Sequence, residues 1–226
     1  MGGKGFANIR GARGSRGLLA AGAALLLLAG CGGGDGGAVA LDRKQVASVL
    51  PDAKAVPGWR MYVKPDAQKP VAGFPPSVCM AATKKKRKTA CDTVTSWGAS
   101  AFVRQPDVTT LNFWVLAYKD EETADAAYDV LIEWYGGDRV GRGARKVDLG
   151  DIGEDREANR AAVGTMGGPA TIAQVRVGTT VLGISTGTQG RTAVPDEQVK
   201  AFAAVIAERA KQAQSGEKPS AKVSGN

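Results

Sequence analysis

The stretch from Val108 to Lys119 constrains the fold more than any other part of this chain. Leu111, Phe113, Val115 and Ala117 alternate with Asn112, Trp114, Leu116 and Tyr118, so both sides of an extended segment are largely apolar. A strand of that kind belongs inside a sheet, with cover on each face. Its partner is Val94 to Arg104, where Trp97, Ala99, Ala101 and Val103 share one side, and Gln105-Pro106-Asp107 supplies the turn between them. A helix follows. Asp120-Glu121-Glu122 suit the positive end of its dipole, Ala124, Ala127, Tyr128, Leu131, Ile132 and Tyr135 recur at helical spacing, and Gly136-Gly137 end it.

The same order returns further on. Ala170 to Val177 and Thr180 to Ser185 are two strand-like runs about Gly178-Thr179, where Gly in the first turn position fits a type II′ hairpin. Pro195-Asp196-Glu197 then starts a helix with Val199, Phe202, Ala203, Ile206 and Ala210 on one face. Strand, strand, helix thus occurs twice, a possible pseudo-repeat. Upstream, Asp42 and Gln45 form a capping box for a short helix, with Leu41 and Val46 placed as a staple, and Pro51 stops it. The six prolines from Pro51 to Pro76 predict mostly loop, with a short edge strand over Trp59 to Val63. Residues 41–213 are therefore predicted to form one α+β domain, a twisted antiparallel sheet with packed helices. Residues 214–226 are polar and of low complexity and predict a disordered tail.

Residues 1–30 read as an export signal. A basic, Gly-rich start leads into an apolar run from Leu18 to Ala29, too short to span a bilayer at about 20 residues. The run ends in Leu28-Ala29-Gly30-Cys31, which resembles the lipobox of bacterial lipoproteins; the resemblance implies that Cys31 becomes the first mature residue and carries a diacylglycerol. Residues 31–40 are a Gly-rich tether. The expected location is the extracytoplasmic face of the cell membrane, where disulfides persist, and the two remaining cysteines, Cys79 and Cys91, are expected to pair.

Composition narrows the chemistry. The chain has no His, which removes the usual general base and the commonest metal ligand. The formal charge of +8 comes mainly from four basic residues before Cys31 and from the run Lys84-Lys85-Lys86-Arg87-Lys88, and the rest is close to neutral. In an exported chain that run is not a nucleic-acid signal. It reads as a loop tip inside the Cys79 to Cys91 segment, either merely solvated or able to meet anionic headgroups or wall polymers. Gly183-Ile184-Ser185-Thr186-Gly187 matches a nucleophile elbow in letters only, since no helix follows directly and no His can take the serine proton. Asp148, Asp151, Glu154, Asp155 and Glu157 lack cation-loop spacing and read as a solvated turn, and Gly164 to Gly168 lacks a phosphate-loop ending. No catalytic, metal or cofactor residues are assigned. Trp97, Trp114, Tyr128, Trp134 and Tyr135 are candidates for the wall of a ligand cleft, against the alternative that they are core.

The mature region resembles the extracellular sensor domain of PknH-type bacterial serine/threonine kinases and its stand-alone lipoprotein relatives in high-GC Gram-positive bacteria. The resemblance spans about 42 to 210. It rests on the helix at Val46 to Leu50, Cys79 to Cys91 leading into Trp97, Trp114 to Lys119 followed by Asp125-Ala126-Ala127 and Trp134, and Leu149-Gly150-Asp151 followed by Val175 to Thr179. It implies an α+β module with a twisted antiparallel sheet and a cleft proposed to bind a ligand; the family usually carries two disulfides, and here one is possible. The resulting expectation is a lipid-anchored domain that binds a small molecule, an envelope polymer or a partner protein without catalysis. Two alternatives are an envelope hydrolase and a structural or interaction lipoprotein without a cleft.

Overall fold

The computed structural model describes residues 38–69, 84–141 and 143–224. All of them belong to one unit, Asp35–Asn226. The expected signal peptide, Cys31 and the tether up to residue 37 lie outside the described residues, as does Cys79.

Four helices and seven strands follow one another as α1 (Arg43–Val49), β1 (Arg60–Gln68), α2 (Lys84–Ala90), β2 (Ser96–Arg104), β3 (Thr109–Ala117), α3 (Glu121–Tyr135), β4 (Arg145–Lys146), β5 (Asp155–Ala161), β6 (Ala170–Val177), β7 (Thr180–Thr188) and α4 (Asp196–Gln214). The strands form a single sheet in the order β1-β2-β3-β7-β6-β5-β4, every neighbouring pair antiparallel. The fold is α+β with an open sheet, as the hydrophobic pattern predicts. β3 lies inside it between β2 and β7.

One face of the sheet is covered along most of its length. Phe102, Leu111, Phe113, Val115, Val175, Leu182 and Ile184 pack there with Val46 and Val49 of α1 and with Val199, Phe202, Ala203, Ile206 and Ala210 of α4. Three edge-to-face ring pairs, Trp59–Phe202, Phe113–Phe202 and Phe102–Phe113, run through this core at centroid distances of 5.8, 6.1 and 5.9 Å. Such pairs add about 0.5–1.5 kcal/mol each beyond simple burial. The capping box at Asp42 and Gln45 forms as expected, fixing the entry into α1.

Among the described residues, the other face is covered only at one end. There α3 and the C-terminal end of α2 bury Leu116, Tyr118 and Val181 under Ala124, Ala127, Tyr128 and Leu131, with Ala90, Cys91 and Val94 alongside. The two strand-strand-helix units therefore place their helices on opposite faces. The order of elements repeats, but the packing does not.

Three regions depart from the sequence-based expectation. The edge strand β1 runs nine residues, well beyond Val63, and accommodates Pro65 because an edge strand has a free side that needs no N–H donor. Lys84 to Lys88, expected as a loop tip, is helical: Lys and Arg are good helix formers, and the end of α2 is held where the Tyr118 hydroxyl donates to the carbonyl of Ala90 at 2.7 Å. Residues 214–226, expected to be a disordered tail, are docked up to Ser224. Gln214 closes α4, Val223 packs against the main core and donates its N–H to Ala55, and the Ala221 carbonyl accepts from Arg209. Buried Arg209 also donates to the carbonyls of Ser48, Val49 and Leu50, so one side chain of α4 satisfies the orphan C-terminal carbonyls of α1 and ties down the tail. Its guanidinium is held below the usual arginine range by burial, with Asp52 acting in the opposite direction.

Candidate functional site

Because α3 stops short, the rest of the second face is, among the described residues, an open groove of about 470 Å3. That volume lies in the range of small-ligand sites. Register defines its floor. Asn112 of β3 stands opposite Ala101 on β2 and Ser185 on β7, and Ser185 stands opposite Ile172 on β6. One row further toward α3, Trp114 lies between Ala99 and Gly183. Trp97 and Leu116 form the next row, and Tyr135 at the end of α3 lines the groove with them.

Two backbone features shape this surface. A Cβ on Gly183 would fall 1.7 Å from the Trp114 indole, so only glycine leaves room for that ring to lie across β7. On β1 the pairing slips between Met61 and Val63, where Met61 faces Phe102 and Val63 faces Ala101. The bulge lets two consecutive residues, Tyr62 and Val63, both line the rim, at 52% and 41% exposure.

A polar chain crosses the floor. The Tyr62 hydroxyl donates to Asn112 Oδ1 at 3.2 Å, and Asn112 Nδ2 donates to Ser185 Oγ at 3.2 Å. Every lining residue among those described is uncharged. Burial raises the pKa of the Tyr135 phenol, which stays neutral. The arrangement offers aromatic and aliphatic walls with a short line of hydrogen-bonding groups.

The expected cleft residues divide. Trp97, Trp114 and Tyr135 meet in the groove. Tyr128 does not: it sits under α3 in the smaller core, and desolvation first, then Asp155 and Glu157, push its pKa up. Trp134 is also elsewhere, since one residue before Tyr135 is about 100° round the helix; it lies beneath the Arg139 guanidinium at 5.8 Å. Ser185 occupies the middle of a regular strand, facing Asn112 rather than a base. Tyr62, Asn112 and Ile172 were missed, because alternation marks a face as polar or apolar but says nothing of which part of it a helix covers.

The acidic stretch is not a solvated turn throughout. From Asp155 it becomes β5, and Asp155, Asp125 and Glu154 gather on Arg176 at 2.6, 3.3 and 3.9 Å. Among the described residues no group of three or more Asp, Glu, Cys or His is placed to hold a metal ion. Within the basic run, Lys86 forms an ion pair with Glu133 of α3, while Lys85 and Lys88 are exposed. Cys91 is buried beside Ala90 and Val94 at the end of α2, and its expected partner Cys79 lies outside the described residues. No helix among the described residues is long and apolar enough to cross a membrane.

No protein-family model matches this chain, and no curated protein does. Among solved structures it is similar to the extracellular domain of PknH from Mycobacterium tuberculosis, with 11% sequence identity and a TM-score of 0.49, covering 80% of this chain and 100% of that one. The resemblance drawn from the sequence motifs points to the same domain.

Proposed function

We infer that this chain is a binding or sensing domain, held at the extracytoplasmic face of the membrane by a diacylglycerol on Cys31, which takes its ligand in the groove between Trp97, Trp114, Tyr135 and the Tyr62–Asn112–Ser185 row and performs no chemistry on it. The observation that carries this reading is the groove itself. A sheet face left uncovered beside a helix, floored by paired polar side chains and walled by aromatic ones, has the make-up of a small-molecule site. The ligand is a small molecule or a segment of an envelope polymer or partner protein short enough to lie in that volume. The sequence supports the anchor, through the apolar run and Leu28-Ala29-Gly30-Cys31. A Cys79 to Cys91 bridge fits an oxidising compartment and would fasten α2 to the segment before it. Exposed Lys85 and Lys88 suit contact with anionic headgroups or wall polymers.

A thermal-shift screen of the full chain against envelope fragments tests the reading. A ligand present at 100 times its Kd adds about 2.7 kcal/mol of stability. The stabilisation is expected to vanish in Trp97→Ala; a fragment that stabilises wild type and variant alike would place binding outside the groove. Intact mass of membrane-extracted protein is expected to show loss of residues 1–30 with acyl mass on Cys31, and an unmodified N-terminus would remove the anchor.

A further inference from the structure

We propose that the groove's ligand is a neutral saccharide. The proposal rests on the binding reading above and names the class of ligand that the groove selects.

Charge is the first constraint. The described lining residues include no cation to meet a carboxylate or phosphate and no anion to meet an amine, so the groove is complementary to an uncharged ligand. The floor is the second. After the two internal bonds of the Tyr62–Asn112–Ser185 chain, Asn112 retains one N–H and further acceptor capacity, Ser185 retains its hydroxyl proton, and the Tyr62 oxygen retains its lone pairs. The row therefore offers acceptors at its Tyr62 end and donors at its Ser185 end. An alkyl chain would bury that row unsatisfied, and a ligand with only acceptors would satisfy half of it. Sugar hydroxyls both donate and accept, so one ligand can meet both ends of the row. The walls are the third constraint: Trp97, Trp114, Tyr62 and Tyr135 supply the aromatic surface against which the apolar C–H side of a pyranose ring packs, leaving its hydroxyls to the floor.

The test is a titration of tryptophan emission in the full chain with neutral gluco-, manno-, galacto- and N-acetylglucosamine-type oligosaccharides, run beside the uncharged apolar probe N-phenyl-1-naphthylamine. Saturable binding of at least one saccharide is expected, weakened roughly tenfold by Asn112→Ala. Ser185→Ala, a milder change on the neighbouring strand β7, should weaken it in the same direction and serves alone if the Asn112 variant does not fold. Saturable binding of the apolar probe with no response to any saccharide overturns the saccharide assignment and leaves the groove as a binding site. Silence toward both overturns the assignment and the binding reading together. Saccharide binding unchanged in both folded variants overturns the proposal by putting the sugar elsewhere.

Discussion

Gly183 and Arg209 show how single residues settle what the surrounding elements can do. Replacing Gly183 by Ala drives a methyl group into the Trp114 indole in the middle of the sheet, so the ring must give up its place across β7. A loss of about 1–3 kcal/mol is expected in urea denaturation, with a shift in tryptophan emission as the ring leaves β7. Arg209 is the residue-scale support on the opposite face. Arg209→Met keeps the aliphatic stem but leaves the carbonyls of Ser48, Val49, Leu50 and Ala221 without their donor, and is expected to cost about 2–4 kcal/mol. An unchanged unfolding midpoint would mean that water replaces the guanidinium at no cost. Neither role is legible in sequence. An Arg on an amphipathic helix reads as a solvated charge, and a Gly in a strand reads as a weakness until the register puts Trp114 opposite it.

Elements with strong periodicity were legible, and those stabilised by distant partners were not. β3, α3, β6 and α4 declare themselves because each buries a face at its own period. β5 reads as polar and charged because Asp155 and Glu157 look outward until Arg176 and its neighbours are known. α2 is a run of cations whose helix depends on docking against α3 and on the Tyr118–Ala90 hydrogen bond. The buried Tyr118 phenol gives a pH signature. Burial pushes the Tyr118 pKa far above that of a free phenol, so the folded state keeps its proton where the unfolded chain loses it. The contribution is complete below about pH 10 and is lost as pH rises from there toward the folded-state value. Stability followed from pH 9 to 12 is expected to fall more steeply in wild type than in Tyr118→Phe; parallel curves would assign the alkaline loss to other groups, Tyr128 foremost.

At the scale of the whole molecule, the division of cover between the two faces links fold to function. α1, α4 and the docked tail close one face, with Val223 packed on the core and hydrogen-bonded to Ala55. Truncation after Gly216 is therefore expected to lower Tm by several degrees, about what 1–2 kcal/mol does in a domain of this size, while a disordered tail would leave Tm unchanged. The opposite face keeps a groove because α3 covers only the Leu116 and Tyr118 end of β3. Sequence alone placed apolar residues on both sides of β3 and offered five aromatic residues as cleft candidates against the alternative that they are core. It did not tell Trp97, Trp114 and Tyr135 from Tyr128 and Trp134, since that distinction depends on where a helix ends in space. Hydroxyl-radical footprinting of the full chain, with and without the ligand that stabilises it, tests the central claim most directly, because tryptophan and tyrosine side chains report their own solvent access. Tyr62, Trp97, Trp114 and Tyr135 are expected to lose reactivity together while Trp59 and Trp134 keep theirs; protection at Trp59 or Trp134 with the groove residues unchanged would contradict it.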